Sequence, residues 1–409
     1  MNHATGGAPP RALKVLCAPY HIYTHHDVLA GLFGAMGDKG WEVAVLLPFT
    51  GSDTLQNMRR EAAALRAVDR VHDFTAPRLA GGAAGGALPR ILRALALLLY
   101  FVRTVWLLVS GRPDALLLTS DLGGVSVRFV QLVASALGIS IFTLQSTLFL
   151  KVAEREDLKF AFKPAWLQRL LSRGLFKQLF LYFGEVPGSF LPHSHLGVQD
   201  DEIRRVCVEF GKNPEFIQVF GSLQAAKIRA ARAAAGSSSG LPHVLLLTEC
   251  IDERYGEELG RRNIEWMRQC AAALAGEASF SVRFHPRESE AYRQRFTAGL
   301  GPLCSIDPAA SAIDAAARAD IIIGAYSMLM FDAQAAGIAT VFLDVGEDPL
   351  GFYDERRRPL AVSPETLAAH TRRCMSTPGA VAPCGAANPE EWVQQILAWI
   401  YRTSTAPRR

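Results

Sequence analysis

Two Rossmann-like, doubly wound α/β domains facing a central cleft are what this sequence predicts, on three observations. Strand-length apolar runs alternate with helix-period stretches from one end to the other. The alternation breaks once, near the middle, at an Ala-rich helix that gives way to Gly and Ser. The length of 409 residues exceeds one ordinary core, at roughly 150 residues per domain.

The elements follow in order. In a first domain, 1–221, candidate strands are LKVLCAP (13–19), WEVAVLLP (41–48), DRVHDF (69–74), DALLLTS (114–120) and ISIFTLQ (139–145). Helices are expected near 27–38, 54–67, 88–109 and 124–137, and Gly40, Gly111, Pro113 and Gly138 punctuate the returns to the sheet. A linker is expected over 222–241, where GSLQAAKIRAARAAAGSSSGLP loses its apolar period. The second domain, 242–387, repeats the alternation with strands HVLLLT (243–248), FSVRFHP (280–286), LCSID (303–307), DIIIGA (320–325) and ATVFLD (339–344). Helices are expected between them within 256–275 and near 288–298, 309–319 and 328–336, and 388–409 reads as a C-terminal helix and tail. Ligands of such folds sit outside the carboxyl ends of the strands, so function belongs to those loops.

Composition removes several classes. Half of the residues are apolar (50%) and a fifth charged (20%), which is globular composition. A net charge of +4 is too small for a nucleic-acid partner, and no Arg/Lys block with interleaved aromatics suggests one. The seven cysteines are odd in number, widely spaced and form no CxxC pair, so reduced thiols and a cytoplasmic place are expected. No apolar run precedes the first strand, so no secretory leader is expected. No metal is expected either: His193 and His195 form a His-x-His pair without nearby carboxylates, which fits a surface loop. Residues 94–109 are strongly apolar but short for a bilayer span, and the expectation is a buried helix on the first sheet. Residues 159–183 set Lys159, Lys163, Arg169, Arg173 and Lys177 against Trp166, Leu170 and Phe176 at helical spacing. That is the shape of a basic amphipathic helix on an anionic membrane, and equally of a surface helix with a core-facing stripe.

Two stretches carry chemistry. RFHPRES (283–289) delivers His285, with Pro286 fixing the turn, to a strand end, flanked by Arg283 and Arg287 as bidentate donors for an anionic ligand. The same residues fit a helix cap at His285 with solvated arginines. In DIIIGAYSMLMF (320–331), a buried strand ends at Gly324 and Ser327 opens an apolar helix. A helix N-terminus binds phosphate through its free N–H groups and dipole, while Ser327 alone also fits a plain N-cap.

On these motifs the C-terminal half, over roughly 243–345, resembles bacterial GT-B glycosyltransferases that carry an HP loop and a Ser-bearing helix start. The group includes sialyltransferases, Kdo transferases and CDP-glycerol glycerophosphotransferases. The resemblance implies a GT-B fold and nucleotide phosphates held by His285, Pro286, Ser327 and Met328. The stretch FIQVFGSLQ (216–224) resembles the exit from the first domain of such enzymes, which adds Gly221 and Ser222 on the donor side. This sequence departs in having Tyr326-Ser327 where many members pair Ser and Thr. The implied function is inverting, metal-independent transfer of a sugar to a bacterial surface glycan of the capsule or lipopolysaccharide kind. An acidic sugar such as Kdo or sialic acid, CMP-linked, is the donor it points to.

The partners implied are the nucleotide-sugar and a glycan or lipid-linked glycan acceptor, with no separate cofactor and a place in the cytoplasm or at the inner face of its membrane. An inverting transfer needs a general base. APYHIYTHHDVLAGL (18–32) offers His25, His26 and Asp27, and LLLTSDLGGVS (116–126) offers Asp121, each aspartate also fitting an N-cap. Glu185 and Glu249 are outsiders that can reach the cleft. Two rival readings share the fold: a UDP-N-acetylglucosamine 2-epimerase, against which the Ala-Tyr-Ser-Met helix start speaks, and an inactive GT-B module that only binds.

Overall fold

The computed structural model describes residues 11–19, 22–49, 52–74, 87–119, 125–144, 191, 193–209, 212–235, 240–252, 256–286, 288–325, 327–344, 360–377 and 385–406. Asp121, Glu185, Arg287 and the whole of 159–183 lie outside these residues.

The first sheet has strands β1 (Lys14–Cys17), β2 (Glu42–Leu46), β3 (Arg70–His72), β4 (Ala115–Leu118), β5 (Ser140–Leu144), β6 (Ser194–Val198) and β7 (Ile217–Val219). Their spatial order is β3-β2-β1-β4-β5-β6-β7, with every pairing parallel. The helices are α1 (Ile22–Asp38), α2 (Ser52–Ala64), α3 (Ala87–Gly111), α4 (Val125–Ala136) and α5 (Asp201–Glu209). A strand covered on both faces must be apolar throughout and not alternate, and β4, Ala-Leu-Leu-Leu, is buried at all four positions.

α6 (Leu223–Ala235) leads into the second sheet: β8 (His243–Leu247), β9 (Ser279–Arg283), β10 (Ser305–Ile306), β11 (Ile321–Gly324), β12 (Ala339–Leu343) and β13 (Leu360–Ala361). The order β10-β9-β8-β11-β12-β13, again all parallel, is that of a dinucleotide-binding fold. Its helices are α7 (Glu257–Ala273), α8 (Glu290–Leu300), α9 (Ala312–Arg318), α10 (Met328–Ala335) and α11 (Pro364–Ser376). The chain ends in α12 (Pro389–Thr405). The expected fold class, two doubly wound parallel sheets, is what the chain adopts.

Four expectations are amended by packing. α1 begins at Ile22, so Asp27 lies in its second turn and is no N-cap. His193 is exposed in a turn, as a surface loop would have it, but His195 lies in the inner strand β6, half-buried among aromatic rings. Its ring stacks on Phe142 at 5.3 Å and meets Phe216 edge-on at 5.1 Å, and burial pushes its pKa down to about 4.

Within the linker 222–241, α6 is a packed helix burying Leu223, Ala225, Ala226 and Ile228. One apolar cluster runs through it from Leu196 and Ile217 of the first sheet to Ile322 of the second and Ala333 of α10. α12 returns to the first sheet, where Trp399 lies edge-on to Phe142 at 4.9 Å and Ile396 and Ile400 are fully buried. Last, α3 is buried on one face only. Tyr100 gives its hydroxyl to the Leu47 carbonyl at 3.1 Å and Leu108 is fully enclosed, but Leu98, Val102 and Trp106 stand in solvent.

Candidate functional site

In each sheet the strand order reverses between the first and fourth strands, β1/β4 and β8/β11, and a doubly wound fold opens its ligand crevice there. In the second sheet the crevice is built by the loops after β8, β9 and β11. Thr248, Glu249 and Cys250 follow β8, and all three are buried. The Glu249 carboxylate accepts the Ser327 N–H at 2.8 Å, and Glu288 accepts the Cys250 N–H at 3.1 Å. Thr248 Oγ1 accepts the His285 N–H at 2.9 Å, which ties the histidine loop to the end of β8. Cys250 turns the chain in a left-handed conformation, φ 54°, which costs a residue with a Cβ of order 1 kcal/mol or more. The turn sets its Sγ 3.1 Å from His285 Nδ1. Gly324 leaves the room for this arrangement, since an added Cβ would meet Met330 Sδ at 2.9 Å and Glu249 Oε1 at 3.1 Å.

The structure brings His285, Ser327 and Met328 to this crevice and gives the first two local partners. His285 does not cap the next helix; Ser289 does, accepting the Tyr292 N–H at 3.2 Å. Ser327 is the N-cap of α10, accepting the Leu329 N–H at 3.3 Å, with Met328 as the first helical residue. Because the Ser327 N–H already goes to Glu249, an incoming phosphate shares this helix end with a carboxylate. Pro286 is exposed at the turn. Arg283 is turned away: its Nη1 is 2.9 Å from Asp307 Oδ2 and donates to the Ala309 carbonyl at 3.1 Å. Arg283, expected as a donor to an anionic ligand, is thus held in a part-buried ion pair, and Arg287 lies outside the described residues.

Gly221 and Ser222 serve the connection between the sheets. Gly221 has φ +76°, and a Cβ there would stand 2.6 Å from Gly385 Cα, so two backbones cross in contact. Its carbonyl accepts from Trp392 Nε1 at 3.1 Å. Ser222 caps α6, accepting the Gln224 and Ala225 N–H groups at 3.1 and 3.2 Å, and hydrogen-bonds the buried carboxylate of Asp332. Burial pushes Asp332 up to about 7, against the lowering effect of Ser222.

In the first domain His26 and Asp27 stand in the second turn of α1, and of His25 only its place in that helix is described. Lys227 of α6 donates to Asp27 Oδ2 at 2.9 Å, and that hydrogen bond holds the Asp27 carboxyl below its ordinary range. The His26 ring lies between two carboxylates, with Nδ1 3.9 Å from Asp27 Oδ1 and Nε2 3.7 Å from Glu61 Oε2. A base flanked by an orienting acid is a recurrent arrangement for proton transfer. Sequence reasoning missed Glu61, Glu288 and Cys250. Only Glu288 carried a signal, as an acid inside the RFHPRES motif. Among the described residues no group of three or more His, Cys, Asp or Glu is placed to hold a metal ion.

No protein-family model matches the chain, and no curated protein matches it. Solved structures do. A Listeria monocytogenes protein assigned as a UDP-N-acetylglucosamine 2-epimerase superposes with a TM-score of 0.58 at 14% identity, over 96% of this chain and 96% of that one. The UDP-GlcNAc 2-epimerase of Neisseria meningitidis, solved with UDP-GlcNAc, gives 0.56 at 10% identity, over 95% and 100%. A glycosyltransferase from Rickettsia africae gives 0.54 at 8% identity, over 97% and 100%. At these identities the likeness establishes the two-domain GT-B-type fold along nearly the whole chain and nothing finer.

Proposed function

We propose that this chain is an enzyme of nucleotide-sugar chemistry, a metal-independent inverting glycosyltransferase that passes a sugar to a glycan or lipid-linked glycan acceptor. One observation carries the reading. The switch-point crevice of the second sheet gathers the buried acceptors Glu249 and Glu288, the imidazole of His285 and the start of α10. Carboxylate acceptors beside an imidazole suit a ligand rich in hydroxyls with a phosphate attached better than a bare anion, since each hydroxyl donates to a carboxylate. The neighbours' names point the same way, being enzymes of UDP-GlcNAc or glycosyl transfer. The acidic sugar and the surface-glycan acceptor rest on the HP-loop resemblance, and the place at the inner face of the membrane on the basic amphipathic pattern of 159–183.

The test is a thermal-shift panel of CMP, CDP, UDP, GDP and CMP-sugars on the wild type and on His285→Ala. A ligand at about 100 times its Kd stabilises by about 2.7 kcal/mol. Losing one hydrogen bond from His285 costs about 1–3 kcal/mol, so the folded variant needs roughly 5- to 150-fold more of the same nucleotide. A panel with no shift at all ends the reading.

The epimerase-named neighbours favour a second reading, isomerisation of the nucleotide-sugar itself. An isomerase converts its substrate with no acceptor present, and a transferase does not. NMR of UDP-GlcNAc with the protein alone separates them: a C2 epimer supports the isomerase, an unchanged spectrum the transferase.

A further inference from the structure

The outer face of α3 takes no part in either crevice. Its inner face, with Tyr100, Thr104 and Leu108, is enclosed against the first sheet. The opposite face carries Ile91, Leu95, Leu98, Val102, Trp106 and Val109, each between 47 and 67% exposed. Their spacing of three or four residues returns every one to the same side of the helix. At 1.5 Å per residue the stripe from 91 to 109 runs about 27 Å, a continuous apolar patch that a soluble surface rarely leaves open.

Charge decides what covers it. Between Ala87 and Pro113 the sequence has Arg90, Arg93, Arg103 and Arg112 and no Asp or Glu. Packing α3 of one copy on α3 of another would set these arginines together with no carboxylate on either helix to pair them. An anionic bilayer takes both features at once, acyl chains against the apolar stripe and headgroups against a basic stretch in which Arg103 is exposed. Trp106, the most exposed of the six, is the residue type that favours the boundary between water and lipid. Ala94–Gly111 is long and apolar enough to span a bilayer, but its enclosed inner face holds it to the protein, so the helix lies in the membrane plane. We propose that α3 is an in-plane docking helix that seats its outer face in the surface of an anionic lipid bilayer. This deepens the membrane side of the proposed function and stands on observations apart from the reaction.

The experiment is flotation of the full-length protein with vesicles of phosphatidylcholine alone and of phosphatidylcholine mixed with phosphatidylglycerol. It is run on the wild type, the Leu98→Glu/Val102→Glu variant and the milder Leu98→Ser/Val102→Ser variant. Both side chains are exposed, so the fold tolerates either change. The wild type should float with the anionic vesicles, be released by salt, and leave neutral vesicles largely unbound. Each variant should lose at least about tenfold in partitioning, the factor carried by one apolar side chain withdrawn from lipid.

Three outcomes overturn the proposal: a wild type that never floats, variants that float as well as the wild type, which moves the contact to 159–183, or a wild-type dimer that the variants dissociate. Nucleotide shifts measured on the same samples keep the two readings apart. Lost flotation with intact nucleotide binding bears on α3 alone, and intact flotation without nucleotide binding bears on the reaction alone.

Discussion

Asp332 is a carboxylate fully inside the protein, between α10 and the start of α6, with the Ser222 hydroxyl as its partner. Burial disfavours its charge, and its pKa of about 7 stands above the value near 4 that it has in an unfolded chain. Between those two values the folded state holds a proton that the unfolded state has released, so stability falls as pH rises from about 4 to about 7. Below that window the contribution is complete, and above it the loss stays constant. Asp332→Asn keeps an acceptor for Ser222 and cannot ionise. Urea melts across this range should show the wild type losing of the order of a few kcal/mol that the variant keeps. Parallel curves for the two proteins would mean that Asp332 is charged at no cost, through a contact absent from this arrangement.

At the scale of elements, the crossing of the two connections is the least forgiving point. Gly221 leads into α6 and Gly385 into α12, both in the left-handed region, with their backbones in contact. Gly221→Ala adds a Cβ that meets backbone and no movable side chain, on a φ that a Cβ disfavours. It should cost at least about 1–3 kcal/mol, read as a lower urea midpoint with an unchanged slope. A variant as stable as the wild type would show that the connections separate freely. The same region shows where sequence reading stops. Strands such as HVLLLT and DIIIGA were legible because burial on both faces writes an unbroken apolar run, and their order followed from the alternation with helices. α6 was read as linker because Ala and Arg give no apolar period, although contacts from both sheets bury it. β6 was missed for a related reason: Ser-His-Leu-Gly-Val has no strand pattern until Phe142, Phe216 and Trp399, distant in sequence, close on His195.

Across the whole molecule, the crevice of the second sheet holds His285 and Ser327, while His26 and Asp27 stand in the second turn of α1 and face α2 and α6. The strand-end places of His285 and Ser327 were legible, since such loops can be placed once the strands are. The partners were not, because Glu61, Lys227 and Asp307 reach the site residues from other elements. These partners rank the candidate bases. Lys227 stabilises the charged form of Asp27 and holds its pKa down, which makes it a poor proton acceptor at neutral pH, where a base works best with a pKa near the working value.

His26 differs in setting, its ring lying between the Asp27 and Glu61 carboxylates, which can orient it. With a native acceptor, His26→Ala should therefore lower turnover by about 10²–10⁴-fold while donor affinity is nearly unchanged, because the lost interaction belongs to the transition state. Asp27→Asn should cost far less turnover. Its exposed pair with Lys227 contributes no more than about 1 kcal/mol to stability, so the fold survives the change. Steady-state kinetics on His25→Ala, His26→Ala, Asp27→Asn and Asp121→Asn check the ranking. Full turnover in all four would place the base outside the first sheet, and a loss confined to Asp27→Asn would mean that Lys227 releases the carboxylate when substrate binds.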